Sequence, residues 1–196
     1  MTTDTQTYVD NILSVYNVAT QRDITEGMYW YLNANGLAHE IMPDNPRAGA
    51  GIIAVLSPRL RWDKNVAYAR LAVNLMGYGV DEIVASYIPV LKHSRRKALA
   101  IVHGAEVLDV IGNGPKTRAF FDNIANPFTS TEVTVDKHAF DIANNIRTPY
   151  KGMVITNKTY AAMAEAYQIA AGILGILPHQ LQAITWVAWR RIVGAE

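Results

Sequence analysis

Two short stretches carry the residues best suited to chemistry. GNGPKT (112–117) is a glycine turn that presents Lys116. VTVDKH (133–138) is a β-like run ending in Asp136, with His138 two residues on. Turn glycines let a backbone approach a ligand closely. The N–H groups at the start of a following helix, with the positive end of its dipole, suit an anion such as a phosphate. GNGPKT therefore admits two readings: an ordinary αα-turn, or a clamp on a DNA phosphate that positions a duplex without reading its sequence. Asp136 likewise is either a plain helix N-cap or a carboxylate held at a helix N-terminus for catalysis. Lys116 is either a solvated lysine near a helix start or an amine placed to attack a sugar carbon, activated when desolvated.

The elements that must position these residues read as helices. Apolar residues recur at helical spacing almost throughout. Tyr8, Ile12, Val15 and Tyr16 mark a first helix. Asp23 or Thr25 is expected to cap a second, which carries Met28, Tyr29, Trp30 and Leu32 and fades near Gly36. After a loop with two prolines, a helix begins near Arg47. GAGIIAVL is apolar on nearly every face and should be buried; Pro58 should end it by keeping the residue before it out of the helical region. Further helices are expected at 63–76, 81–88, 93–102, 106–111, 115–124, 136–145, 159–174 and 179–193. Turns are expected at GYGV, Gly104, GNG and TPYKG, with a loop at 125–134. The reading is all-α, a single domain over 1–196, with a helix–turn–helix unit at about 105–124 and the Asp136 segment at about 133–145.

Bulk composition narrows the chemistry. Half of the 196 residues are apolar and 18% are charged, the balance of a folded globular chain. With no cysteine, disulfides, thiol catalysis, thiolate zinc sites and a cysteine-held iron–sulfur cluster are all excluded. The five histidines, at 39, 93, 103, 138 and 179, lack metal-ligand spacing with a carboxylate, so no metal is expected. The polar start MTTDTQTYVD has no signal-peptide pattern, and no apolar run is long enough to span a bilayer. A cytoplasmic protein with no membrane partner is the expectation. Net charge is +1 and the isoelectric point about 8.0, so any nucleic-acid site must come from local clustering. The densest basic run is KHSRRK (92–97), with Arg95 and Arg96, either a solvated helix face or a second phosphate contact. Tyr29, Trp30 and Tyr31 are core residues or a stacking platform for a base; Trp186 and Trp189 read as core.

Taken together, the two stretches resemble the helix-hairpin-helix DNA glycosylase superfamily, in particular its endonuclease-III-like branch. That family has a hairpin L-P-G-V-G-x-K-T-A and, about twenty residues on, V-D-T-H-x-F-x-[VA]. Here the chain reads V-I-G-N-G-P-K-T-R and V-D-K-H-A-F-D-I-A-N, with both glycines, Lys116, Thr117, Asp136, His138 and Phe140 in register. Upstream, GAGIIAVLSPRLRWDKNV is similar to the family's buried helix ending in L-L-S-x-Q. The match runs from about residue 50 to 145. It departs at Asn113, where the family has an apolar anchor, at Ile111, where it has proline, and in lacking a cysteine cluster.

The resemblance implies a two-lobed all-α fold and an enzyme that binds double-stranded DNA as a monomer without a cofactor, in a bacterial or phage-infected cell. Such an enzyme flips a nucleotide and cleaves the N-glycosidic bond of a damaged or modified base. Asp136 would be the catalytic carboxylate. Lys116 would be the Schiff-base nucleophile of a member that also cuts the strand. Gly112, Asn113, Gly114, Lys116 and Thr117 would hold DNA. Arg59, or else Leu60 or Arg61, would fill the gap left by the flipped base. Arg95 and Arg96 would add phosphate contacts, and His138 would be a structural hydrogen-bond partner. Two alternatives share the scaffold: a phage-type transferase that hypermodifies a DNA base, and a DNA-binding module without chemistry.

Overall fold

The computed structural model describes residues 3–78, 86–148 and 154–194. Among these the chain is all-α, without a strand. In order come α1 (Thr3–Asn17), α2 (Gln21–Ile41), α3 (Pro46–Leu56), α4 (Trp62–Asn74), a 3-10 turn (Met76–Tyr78), α5 (Lys92–Val102), α6 (Val107–Ile111), α7 (Pro115–Ala125), α8 (Lys137–Asn144), α9 (Asn157–Leu174) and α10 (Pro178–Val193). The helix expected at 81–88 lies mostly outside the described residues, as does most of the turn at TPYKG.

The chain divides into two compact units. One joins residues 1–32 to 127–196; the other is the continuous segment 33–126. Helix α2 runs from the first into the second without a break at Gly36, where the sequence had suggested it would fade. Gly36 is exposed there, so it lowers helix propensity without ending the hydrogen-bond ladder. The cap of α2 also differs from expectation. Thr20 is the N-cap, and Asp23 is the third helical residue that answers it: the Thr20 N–H donates to Asp23 Oδ2 and the Asp23 N–H to Thr20 Oγ1.

In the 33–126 unit, α3 is the core. Every residue from Ala48 to Leu56 is buried. Asn45 caps it, accepting from the Ala48 N–H, and Pro46 fills its first turn. Helix α3 stops at Leu56, where expected, but for a different reason. Ser57 itself is helical (φ −60°, ψ −27°), so what breaks the ladder is the N–H that Pro58 lacks. Helices α4, α5, α6 and α7 pack around α3. An alanine at Gly49 would place its Cβ 2.4 Å from the Ala38 carbonyl oxygen, so α2 and α3 touch backbone to backbone there.

In the unit formed by the two chain ends, α1, α8, α9 and α10 enclose a core of Val9, Ile12, Val15, Ile142, Met163, Tyr167, Leu181 and Trp189. Gly27 of α2 lies against the α10 backbone: a Cβ there would sit 2.3 Å from Ile184 Cα. Arg191 crosses from α10 to the start of α2, donating to Asp23 Oδ2 at 2.9 Å and to the Val18 carbonyl at 3.0 Å. Burial pushes the Asp23 carboxyl up, but the Arg191 and Thr20 hydrogen bonds outweigh it and hold it below the ordinary aspartate value.

Candidate functional site

Hairpin α6–α7 belongs to the 33–126 unit. Gly112 has φ +78° and ψ −163°, a conformation essentially closed to residues with a Cβ. That turn lets Pro115 begin α7 directly after Gly114, which offers no side chain to cap it. With no N-cap hydrogen bond, the first N–H groups of α7 stay open to an anion, and Asn113, Gly114 and Lys116 are exposed around them. Thr117 is half-buried.

An apolar residue does not anchor this hairpin. Arg118 does: its Nε donates to the Gly112 carbonyl at 2.6 Å, and its Nη2 to Leu108 O at 3.4 Å and Asn113 Oδ1 at 3.2 Å. From α5, Lys97 Nζ donates to the Ile111 carbonyl at 2.9 Å. Both cations occupy backbone acceptors that a tight turn leaves without partners. Asn113 therefore takes its side of the turn as a hydrogen-bond acceptor for Arg118. Neither role was legible, because a lone arginine or lysine in a basic run gives no hint of its acceptor.

The other basic candidates of this unit differ among themselves. Arg59 is exposed and left-handed (φ +62°), a backbone state that costs a side-chain-bearing residue about 1–2 kcal/mol. Arg61 is exposed, with Asp63 3.5 Å away. Leu60 is half-buried and Arg96 exposed. Arg95 departs from the expected phosphate contact. Its Nη1 turns back to the Ile88 carbonyl at 3.5 Å, and its Nε is buried without a partner among the described residues. A guanidinium folded onto its own chain is poorly placed to meet a phosphate.

Asp136 belongs to the other unit, as the N-cap of α8. Its Oδ1 accepts from the Ala139 N–H at 2.8 Å, and Oδ2 accepts no hydrogen bond from the described residues. Thus a single half-buried side chain caps α8 with one oxygen and leaves the other without a hydrogen bond from the described residues. The run before it is not a strand but part of a strap, 127–135, whose last three residues are buried and which side chains of the same unit hold at several points. His179 has Nε2 3.1 Å from Pro127 O and Nδ1 3.1 Å from Ser130 O. Gln168 donates to Thr131 O. Tyr160 donates to Val133 O at 2.6 Å and accepts from the Val135 N–H at 3.2 Å. Tyr31, buried rather than presented to a base, donates to Gln182 Oε1 at 2.9 Å, with the Thr134 hydroxyl 3.1 Å from its oxygen. Burial pushes the Tyr160 phenol up to about 12, against the Val135 N–H and with the charges of Glu132 and Asp136.

His138 does not act as the expected hydrogen-bond partner. Its Nδ1 is buried and unpartnered among the described residues, and its ring meets Trp186 edge to face at 6.3 Å. Burial lowers its pKa, as do the Lys137 and Arg190 charges, against the opposing pull of Asp136 and Asp141. Trp186 is only half-buried. It also touches Trp30 at 6.2 Å and carries the Arg190 guanidinium 4.5 Å above its ring. Trp189 is buried as expected, and Tyr29 is 54% exposed.

The sequence-predicted residues thus fall into two groups. Gly112, Asn113, Gly114, Lys116, Thr117 and the arginines at 59, 61, 95 and 96 lie in the 33–126 unit; Asp136 and His138 lie in the other. Among the described residues no group of three His, Asp or Glu side chains converges as a metal site, and no single helix is long and apolar enough to cross a membrane.

The chain belongs to DUF7178, a family of unknown function whose model matches residues 1–192. No curated protein and no solved structure matches it.

Proposed function

We propose that the chain is a DNA glycosylase-like enzyme that grips duplex DNA through the α6–α7 hairpin and uses Asp136 to release a damaged or modified base from a flipped nucleotide. The observation that carries this reading is the hairpin itself. Gly112 is held in a glycine-only conformation, the α7 N-terminus is uncapped and Lys116 is exposed beside it, twenty residues before a carboxylate at a second helix start. In this reading the open N–H groups of α7 take a backbone phosphate. The carboxylate stabilises positive charge developing on the deoxyribose. Water adds to C1′ as the glycosidic bond breaks, the base leaves with the bonding pair, and the water proton passes to solvent or to Asp136. Where neutral Lys116 rather than water attacks C1′, the base again leaves with the bonding pair, the C1′–O4′ bond opens as the amine gives up a proton to O4′ and forms the Schiff base, and loss of the C2′ proton with the 3′-phosphate as leaving group cuts the strand. The exposed, left-handed Arg59 supports a role in filling the vacated stack, since strained backbone clusters at functional positions.

The test is a panel of duplex oligonucleotides bearing damaged and hydroxymethylated bases, followed on both strands by intact mass spectrometry, with wild type and Asp136→Asn. Asparagine caps a helix about as well as aspartate, so the variant keeps the start of α8 and loses only the charge. Base loss by wild type and not by the variant supports the reading. Tight binding with no change in mass on any duplex overturns the glycosylase and leaves a base-modifying transferase short of its co-substrate, or a bare DNA-binding module. Absence of binding overturns all three.

A further inference from the structure

Asp136 follows a segment that should be floppy. Residues 127–135 form neither helix nor strand, yet Ser130, Val133, Thr134 and Val135 are buried. Buried backbone groups outside regular structure need partners, and where they find them decides how rigid the segment is. Here the Tyr160 hydroxyl closes a small ring of hydrogen bonds. It donates to Val133 O and receives the Val135 N–H, and that same N–H also points back to Val133 O at 3.0 Å. One phenol thereby fixes the carbonyl before Thr134 and the amide after it. Val135 is bonded directly to Asp136, so the orientation in which the carboxylate enters α8 is set by this ring. Thr134 between them is fixed on its side chain by Tyr31, which Gln182 holds in turn.

We propose that Tyr160 is a positioning residue for Asp136, with Tyr31 as its auxiliary: together they preorganise the carboxylate rather than merely fill the core. The proposal rests on the catalytic reading of Asp136, but its structural half stands on geometry alone. Preorganised charge acts in catalysis because it does not have to reorient as the reaction proceeds. A carboxylate on a loosened strap would still cap α8 part of the time, and the hairpin of the 33–126 unit would still be free to bind DNA. The cost would fall on the chemical step.

Tyr160→Phe keeps the ring and removes both hydrogen bonds. Tyr167→Phe is the control: it lies on the same helix, is more deeply buried than Tyr160, and its hydroxyl meets Thr185 Oγ1 at 3.3 Å and not the strap. Amide hydrogen exchange, read without DNA, should accelerate at Val135 and Ala139 by about tenfold or more in Tyr160→Phe and stay near wild type in Tyr167→Phe. Single-turnover base release should fall by about tenfold or more in Tyr160→Phe, with the DNA dissociation constant unchanged. Unchanged exchange at both amides overturns the proposal. So does faster exchange with an unchanged chemical rate, which leaves the phenol a purely structural role. Should Tyr160→Phe not fold, Tyr31→Phe is read at the same two amides. An inactive wild type would count against the glycosylase reading, and the exchange data would still decide the clamp.

Discussion

One helix carries two glycines whose replacement by alanine should have opposite effects. At Gly27 a new Cβ would lie 2.3 Å from Ile184 Cα, 2.4 Å from Ile184 N and 2.7 Å from its Cγ1. Two of the three atoms are backbone, so no rotamer change relieves the clash. The helices must part by roughly 1 Å before ordinary contact returns, which puts the cost near the top of the overpacking range, about 3 kcal/mol. For a chain of this size that is a drop in Tm of about 6–12 °C. Nine residues on, Gly36 has nothing within 4 Å of where its Cβ would be. Here alanine only gains helix propensity, about 0.5–1 kcal/mol, and should raise Tm by about 1–4 °C. Both variants can be melted by circular dichroism beside wild type. A Gly27→Ala protein within about 1 °C of wild type would refute the close α2–α10 contact. A Gly36→Ala protein that melts lower would mean that α2 ends at that glycine in a left-handed turn, which alanine resists.

Three further outcomes follow. Gly112→Ala meets no steric obstacle, since its nearest neighbour is Lys97 Nζ at 3.9 Å, so its cost is purely conformational, about 1–3 kcal/mol; on the proposed glycosylase reading it should weaken DNA binding in a gel-shift titration while α8 stays intact. Arg118→Met strips partners from Gly112 O, Leu108 O and Asn113 Oδ1 and, on the same proposed reading, should weaken that binding without altering the rate of base release at saturating protein. The third concerns acid. Because His138 has a depressed pKa in the fold, the unfolded chain binds more protons, so stability is full above the unfolded value near 6.5 and declines as pH falls through it. Tm measured from pH 7.5 to 5.5 should fall less steeply in His138→Gln than in wild type.

Much of the helical framework was legible because its signals are local. Apolar spacing located α1, α3, α9 and α10, and Pro46, Pro115 and Gly112 punctuated the chain where the structure does. What misled was also local reasoning: Gly36 reads as a helix end, but neighbours on both sides carry the ladder through it. The Asp136 cap was legible because an aspartate before a helical pattern is a short-range feature. Its supports were not. Tyr160, Gln168, His179 and Tyr31 lie 24 to 105 positions from it and carry no pattern that separates them from other helical polar residues. Arg95 and Arg118 illustrate the same limit within one unit: both are arginines in basic surroundings, yet which carbonyl each meets depends on the packing of α5 and α7 around α3.

The division of the chain has a consequence for its synthesis. Residues 33–126 form a continuous unit and can complete their contacts as soon as Ala125 has left the ribosome. Residues 1–32 emerge earlier but must wait longer, because Val9, Ile12 and Val15 bury themselves against Met163, Leu181 and Trp189. During that interval the amphipathic face of α1 has no native partner. The unit made last is the one with the longest loop closure, and it also holds Asp136. A chain stopped between Asp136 and Tyr160 would contain the carboxylate and the hairpin, but not the phenol that fixes the strap between Val133 and Val135.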